Sequence, residues 1–172
     1  MSQLEHITAT AMEKEWVSDA VIASSLSQSQ KLWAMREHIS MAQATEGQNI
    51  KHDISLAVSC IPEFLVETDA LLQRDFPGCR MVTFGHLGDG NLHYNVAPPI
   101  GHDAKLFNQT NEQAIHDIVY SQVEKHHGSI SAEHGIGQLK MNDLKDHRGP
   151  VAYQLMRAIK TALDPNNIMN PG

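Results

Sequence analysis

Residues 80–99 read RMVTFGHLGDGNLHYNVAPP, and the fold follows from how this stretch is parsed. Two runs rich in β-branched and aromatic residues flank Asp89-Gly90, a dipeptide favoured in tight hairpin turns because glycine and aspartate tolerate positive φ. Pro98-Pro99 ends the second run. With a two-residue loop at Asp89-Gly90, His86 stands opposite His93, and directly opposed side chains project to one face about 4.5–5.5 Å apart at Cβ. Strand alternation adds Asn91 and Asn95 to that face and sends Leu92, Tyr94 and Val96 to the other. One face is polar and ligand-like, and the other is core.

Working outward, KHDISLAV (51–58) reads as a strand, and Pro62 just inside IPEFLVETDALLQRDF suits the first turn of a helix that stops at Pro77-Gly78. Asp103 caps a long helix whose inward stripe includes Phe107, Ile115, Ile118, Val119 and Val123, closed by Gly128. A last helix opens near Pro150, buries Val151, Leu155, Ile159 and Leu163, and ends at Asp164-Pro165. On the N-terminal side, Leu32, Met35, Ile39 and Ala42 recur at helical steps and predict one buried stripe from Ser29 to Ala44, ended by Gly47. The run Ala20–Ala23 is expected as a short strand. Helices and strands are mingled around a hairpin, so the fold class is α+β with an antiparallel sheet flanked by helices.

The chain has 172 residues and a formal net charge of −7, with no run of Lys or Arg. An acidic surface disfavours nucleic acid or an anionic membrane as partner. No apolar stretch approaches the 18 or more residues that span a bilayer, and the N-terminus lacks a secretory pattern, so the expected location is cytoplasmic. Cys60 and Cys79 stand apart without a CxxC pair and read as reduced thiols. The length accommodates one domain, without room for a separate nucleotide-binding domain.

Eleven histidines are the outlier in the composition. Two imidazoles on one strand face can reach a divalent ion, but a catalytic ion usually takes three protein ligands and keeps an open position. Glu133, in the glycine-bearing segment SAEHGIG, is the best candidate for the carboxylate. His134 beside it is then free to act as a base near neutral pH. Arg36 and Ser40 are four apart on one helix face, and an arginine there can grip a carboxylate with Lys51 adding a point charge. Exposed surface charge is the simpler reading of both. His126 and His127 fit a solvated pair at a helix C-terminus; His6, His38, His52, His102, His116 and His147 receive no role. LGDGN is a poor calcium loop without DxDxD spacing.

Taken together, LWAMRE, KHDIS, FGHLGDGNLHYNV, SAEHGIG and LDPNNIMNPG, in that order, resemble the C-terminal domain of the FAD-linked oxidase family, which includes D-2-hydroxyglutarate and D-lactate dehydrogenases and the glycolate oxidase flavin subunit. The resemblance implies a ferredoxin-like cap domain with a C-terminal helical segment, spanning residues 1–172 of a larger flavoenzyme whose FAD-binding domain is not in this chain. It implies that His86, His93 and Glu133 hold a divalent ion, zinc with manganese as the alternative. It makes His134 the group that takes the hydroxyl proton of a D-2-hydroxy acid as hydride passes to FAD. Arg36 and Lys51 would bind the substrate carboxylate, with Ser40 and Asn95 as lesser contacts; Ser40 stands where hydroxyglutarate-type members often have Thr. Asn170, with Glu133 and His134, would lie near the flavin. Alone, the chain is expected to bind metal without turning over, and a homodimer through an apolar face is a further expectation. The competing readings are a non-haem Fe(II) oxygenase, whose facial triad is also two His and a carboxylate but sits in an eight-stranded jelly roll, and a metal-stabilised binding module with a closed coordination shell.

Overall fold

Alternation along three short strands decides where everything else packs. The structure, a computed structural model, describes residues 2–171. β1 (Ile50–Ser55), β2 (Arg80–His86) and β3 (Asn91–Ala97) form one antiparallel sheet in the order β1-β3-β2. β1 and β2 are joined through a helix (Ile61–Asp75), and a second long helix (Ala104–Lys125) follows β3. Both helices pack together on one side of the sheet. This is the βαββα order of a ferredoxin-like unit. Its sixth element is reduced to one antiparallel bridge, in which Ser129 exchanges both backbone hydrogen bonds with Ser55 on the outer edge of β1.

The chain divides into two compact units, one up to Gly47 and one from Gln48 onward. The first holds α1 (Gln3–Glu13), α2 (Leu26–Glu37) and α3 (Ile39–Thr45). Ser2 and Glu5 form a reciprocal capping box that satisfies two orphan N–H groups of α1. The run Ala20–Ala23 is irregular chain rather than a strand, because no partner strand takes up its backbone groups. The continuous helix expected from Ser29 to Ala44 is interrupted at His38, and Leu32 and Met35 of the expected stripe are exposed.

In the second unit, the helix after β1 is α4 and the one after β3 is α5. Pro62 occupies the first turn of α4, where its missing N–H costs nothing. Ile61, Phe64, Thr68 and Leu72 of α4, and Ile115, Val119 and Val123 of α5, recur at helical steps and meet Ile50, Ile54, Leu92, Tyr94 and Val96 from the sheet. Each fully buried apolar side chain here contributes roughly 1.5–3 kcal/mol. α5 ends at His126, and the left-handed residue beyond it is His127, not the expected Gly128. Gly128 is needed for space: a Cβ there would lie 2.5 Å from the Ser55 carbonyl oxygen and 2.6 Å from Leu56. Beyond it, α6 (Met141–His147) and α7 (Pro150–Leu163) complete the chain. Val151, Leu155, Ile159 and Leu163 of α7 are exposed rather than buried as expected, because α4 and α5 already close the core.

The hairpin is wider than a two-residue turn. A 3-10 turn over Leu87–Asp89 and a left-handed Gly90 (φ 70°) connect the strands, so His86 pairs with Asn91 and Phe84 with His93. The register is offset by two residues from the expected one. An offset of two preserves the period-2 pattern, so His86 and His93 still share a face, on a diagonal instead of directly opposite. A Cβ on Gly90 would sit 1.9 Å from the Leu56 carbonyl oxygen, whereas one on Gly88 meets nothing within 4 Å.

His52, on the core face of β1, is fully buried. Its Nδ1 lies 2.7 Å from the Tyr94 carbonyl, which can only accept, so Nδ1 carries the proton. Its Nε2 therefore accepts from His116 Nδ1, 2.8 Å away. The His116 ring in turn stacks on Tyr120 at 5.3 Å. Burial is the main cause that pushes His52 down to about 3, and burial also lowers His116. Both are neutral in the fold. The unfolded chain then binds more protons below about pH 6.5, so stability is complete above that pH and falls as the pH drops toward 3.

Two outcomes follow for stability. Chemical denaturation should show Gly90→Ala losing about 2 kcal/mol or more, through left-handed strain and a backbone clash, with Gly88→Ala near neutral. Between pH 7 and pH 5 the unaltered chain should lose about 2 kcal/mol, a slope that His52→Phe flattens.

Candidate metal and proton-transfer site

The sheet face away from α4 and α5 carries Lys51, Asp53 and Ser55 from β1, Asn91, His93 and Asn95 from β3, and Phe84 and His86 from β2. By register, Asp53 pairs with His93 and Lys51 with Asn95 across the β1–β3 ladder. Asp53, Asn91 and Asn95 are buried, and His93 is partly so. A buried carboxylate needs compensating donors. Asp53 finds them in the backbone of the segment after the Ser129 bridge: its Oδ2 accepts the N–H groups of Ala132 (3.1 Å), Glu133 (2.9 Å) and His134 (2.9 Å). Burial opposes ionisation of Asp53, but the N–H groups of His134 and Glu133, the His134 imidazole and the Ala132 N–H outweigh it and hold the carboxyl below its usual range.

This curl of backbone around one carboxylate brings residues 133 and 134 onto the strand face. Gly135 (φ 72°) and Gly137 (φ 55°) take the left-handed conformations that lead the chain away. The Glu133 carboxylate lies 3.4 Å from His86 Nδ1, and its Oε1 also accepts from the Asn91 side-chain amide. His134 Nδ1 is 3.9 Å from Asp53 Oδ2, and His93 Nδ1 is 3.9 Å from Asp53 Oδ1. The two rings lie 5.8 Å apart, and His93 also packs on Phe84 at 5.1 Å.

The expected site residues therefore fall into separate groups. His86 meets Glu133, and His93 meets His134 and Asp53. Among the described residues, ligand atoms from Asp53, His93 and His134 converge within 4.8 Å of one another. Lys51 is exposed two positions along β1 from Asp53, with Asn95 as its register partner. Arg36 on α2 and Ser40 on α3 belong to the first unit, on either side of the interruption at His38. Asn170 has φ 51° in the closing turn, which is organised by Asp164: its carboxylate accepts the N–H groups of Ile168 (2.9 Å) and Met169 (3.0 Å) and pairs with Lys160.

Asp53 is the residue that motif reasoning passed over. A signal was present: Asp is depleted in strands, and alternation puts Asp53 on the same face as Lys51. Two buried oxygens on this face, Asp53 Oδ1 and Asn91 Oδ1, have no hydrogen-bond partner. The imidazole and carboxylate groups gathered on this face are a donor set of the kind that suits a hard or borderline divalent ion. Among the described residues no helix is long and apolar enough to cross a membrane.

Comparison with known proteins finds relatives that cover nearly the whole chain. A D-2-hydroxyglutarate dehydrogenase of Stutzerimonas stutzeri is 41% identical over 162 residues, covering 94% of this chain and 34% of that protein. A mitochondrial D-2-hydroxyglutarate dehydrogenase of Arabidopsis thaliana is 38% identical over 169 residues, covering 98% of this chain and 29% of that protein. A putative mitochondrial D-lactate dehydrogenase of Schizosaccharomyces pombe is 36% identical over 169 residues, covering 93% and 31%. The chain thus spans about a third of the length of these relatives. Residues 2–172 match the family described as FAD linked oxidases, C-terminal domain, and it is to this family that the chain belongs.

Proposed function

We propose that the chain is the substrate- and metal-binding cap of an FAD-dependent D-2-hydroxy-acid dehydrogenase, with His86, His93 and Glu133 as metal ligands and His134 as the base. The observation that carries this reading is the delivery of adjacent residues by one backbone curl. Glu133 reaches His86 and Asn91, and His134 comes to His93. A carboxylate ligand and a proton acceptor are thereby fixed next to each other on a pre-formed face.

When bound, a divalent ion at these ligands would lower the pKa of a substrate hydroxyl, and the flavin would accept the Cα hydride. The rest falls to the chain. The negative Asp53 carboxylate lies 3.9 Å from His134 Nδ1 and would stabilise the imidazolium formed when the ring takes the hydroxyl proton. Its side chain is 67% exposed, so a substrate can reach it. Lys51 and Asn95, next along the same face, would meet a substrate carboxylate, and the substrate-binding roles of Arg36 and Ser40 rest on the family resemblance. Asn170 would meet the flavin. The exposed stripe of α7 supports a covering partner, which we assign to the flavin-binding domain of the same protein rather than to a second copy. The oxygenase alternative finds no support in a three-stranded sheet.

The test is metal content and turnover measured together. The chain should bind about one Zn2+ and show no dye reduction with added FAD and D-2-hydroxyglutarate or D-lactate. His86→Ala and Glu133→Ala should each abolish metal binding, and unchanged metal by elemental analysis in both would rule out the ligand set. In the protein that includes the flavin domain, His134→Gln should keep the metal and lower kcat about 10²–10⁴-fold. Unfolding on chelation without affinity for hydroxy acids would instead favour the purely structural metal module.

A further inference from the structure

The proposed ligands leave unexplained why a carboxylate is buried beneath them. Asp53 is only 4% exposed, yet it sits in the middle of a strand at the register position opposite His93. Its two oxygens are used differently. Oδ2 accepts three N–H groups from consecutive residues, which leaves no lone pair for an ion. Oδ1 is buried without a hydrogen-bond partner and lies 3.9 Å from His93 Nδ1. The imidazole would have to turn toward Oδ1 for that gap to become a hydrogen bond.

We infer that Asp53 is a positioning residue that acts through both halves of the site: Oδ2 fixes the backbone of Ala132–His134, and Oδ1 orients His93 with its proton on Nδ1 and Nε2 toward the ion. Metal-bound histidines commonly donate their other N–H to a carboxylate, which fixes the tautomer and ring angle. Here one carboxylate also sets the segment that carries Glu133 and His134, so the spacing between the hairpin ligands and the downstream acid is set at a single buried point. Direct ligation by Asp53 together with His93 and His134 is the competing arrangement, and it would remove His134 from proton transfer. The His93 half of this inference rests on the metal reading above; the backbone half does not.

Asp53→Asn in the full chain separates these possibilities. An amide keeps one oxygen but loses the charge and the second acceptor. Zn2+ affinity by titration calorimetry should fall roughly 10–100-fold with stoichiometry retained. In the metal-free chain, the amides of Ala132, Glu133 and His134 should exchange with solvent faster than in the unaltered protein. Unchanged affinity and exchange would overturn the inference. Complete loss of Zn2+ from a folded variant, matching His93→Ala, would also overturn it by making Asp53 a ligand. Should the variant fail to fold, imidazole 15N spectra of the unaltered Zn2+-loaded chain decide: His93 must show a protonated Nδ1 and a metal-bound Nε2, and the reverse assignment overturns the inference. If the unaltered chain takes up no Zn2+, the metal reading falls, and amide exchange in the metal-free chain still decides whether Asp53 holds the segment.

Discussion

One buried carboxylate accepting three successive backbone N–H groups is the constraint on which the site's geometry depends. The segment after α5 has no ladder of its own beyond the Ser55–Ser129 bridge. Without further donors and acceptors it would be a surface loop with freely varying φ and ψ. The Asp53 carboxylate gives three of its N–H groups a charged acceptor. Charge-assisted bonds of this kind are roughly twice as strong as neutral ones. Lys140 adds a bond of 2.9 Å to the Ile130 carbonyl on the same segment. A loop is thereby given something near the precision of a strand, as the proposed metal ligand and base require.

The sheet supplies the other half of that precision. β3 is central, with β1 and β2 on either side, so its backbone groups are paired along both edges and its side chains are held at fixed spacing. The helices cover one face only. The face turned away from α4 and α5 can therefore carry Lys51, Asp53, Asn91, His93 and Asn95 without placing any of them in the apolar core. Buried His52 and its partly buried partner His116 lie on the opposite face from Asp53, the sequence neighbour of His52, and they stay neutral because burial raises the cost of charging them. Two adjacent residues of β1 thus have opposite ionisation behaviour, set by which side of the sheet they face.

The hairpin shows how much can be read from pattern despite a wrong detail. The turn at Leu87–Gly90 is longer than the Asp-Gly pair suggests, because a 3-10 turn precedes the left-handed glycine. The polar face survives since the offset is even. The apolar stripe of α7 shows the reverse case. Periodicity correctly marks an amphipathic helix, yet Val151, Leu155, Ile159 and Leu163 lie exposed. Periodicity reports that a face avoids water, not which surface covers it.

The three strands and their antiparallel hairpin, the helices that follow β1 and β3, the cap at Asp103 and the residue types able to bind metal and move a proton are legible in the sequence, because each depends on spacing of a few residues along the chain, whereas the expected strand at Ala20–Ala23 and the unbroken helix from Ser29 to Ala44 are not found. What the tertiary structure alone decided is which of those residues meet. His86 finds Glu133 and His93 finds His134 across more than forty residues, through a carboxylate at position 53 that belongs to neither motif. That meeting is set by strand register and by the need of a buried charge for donors, and neither is written in local spacing.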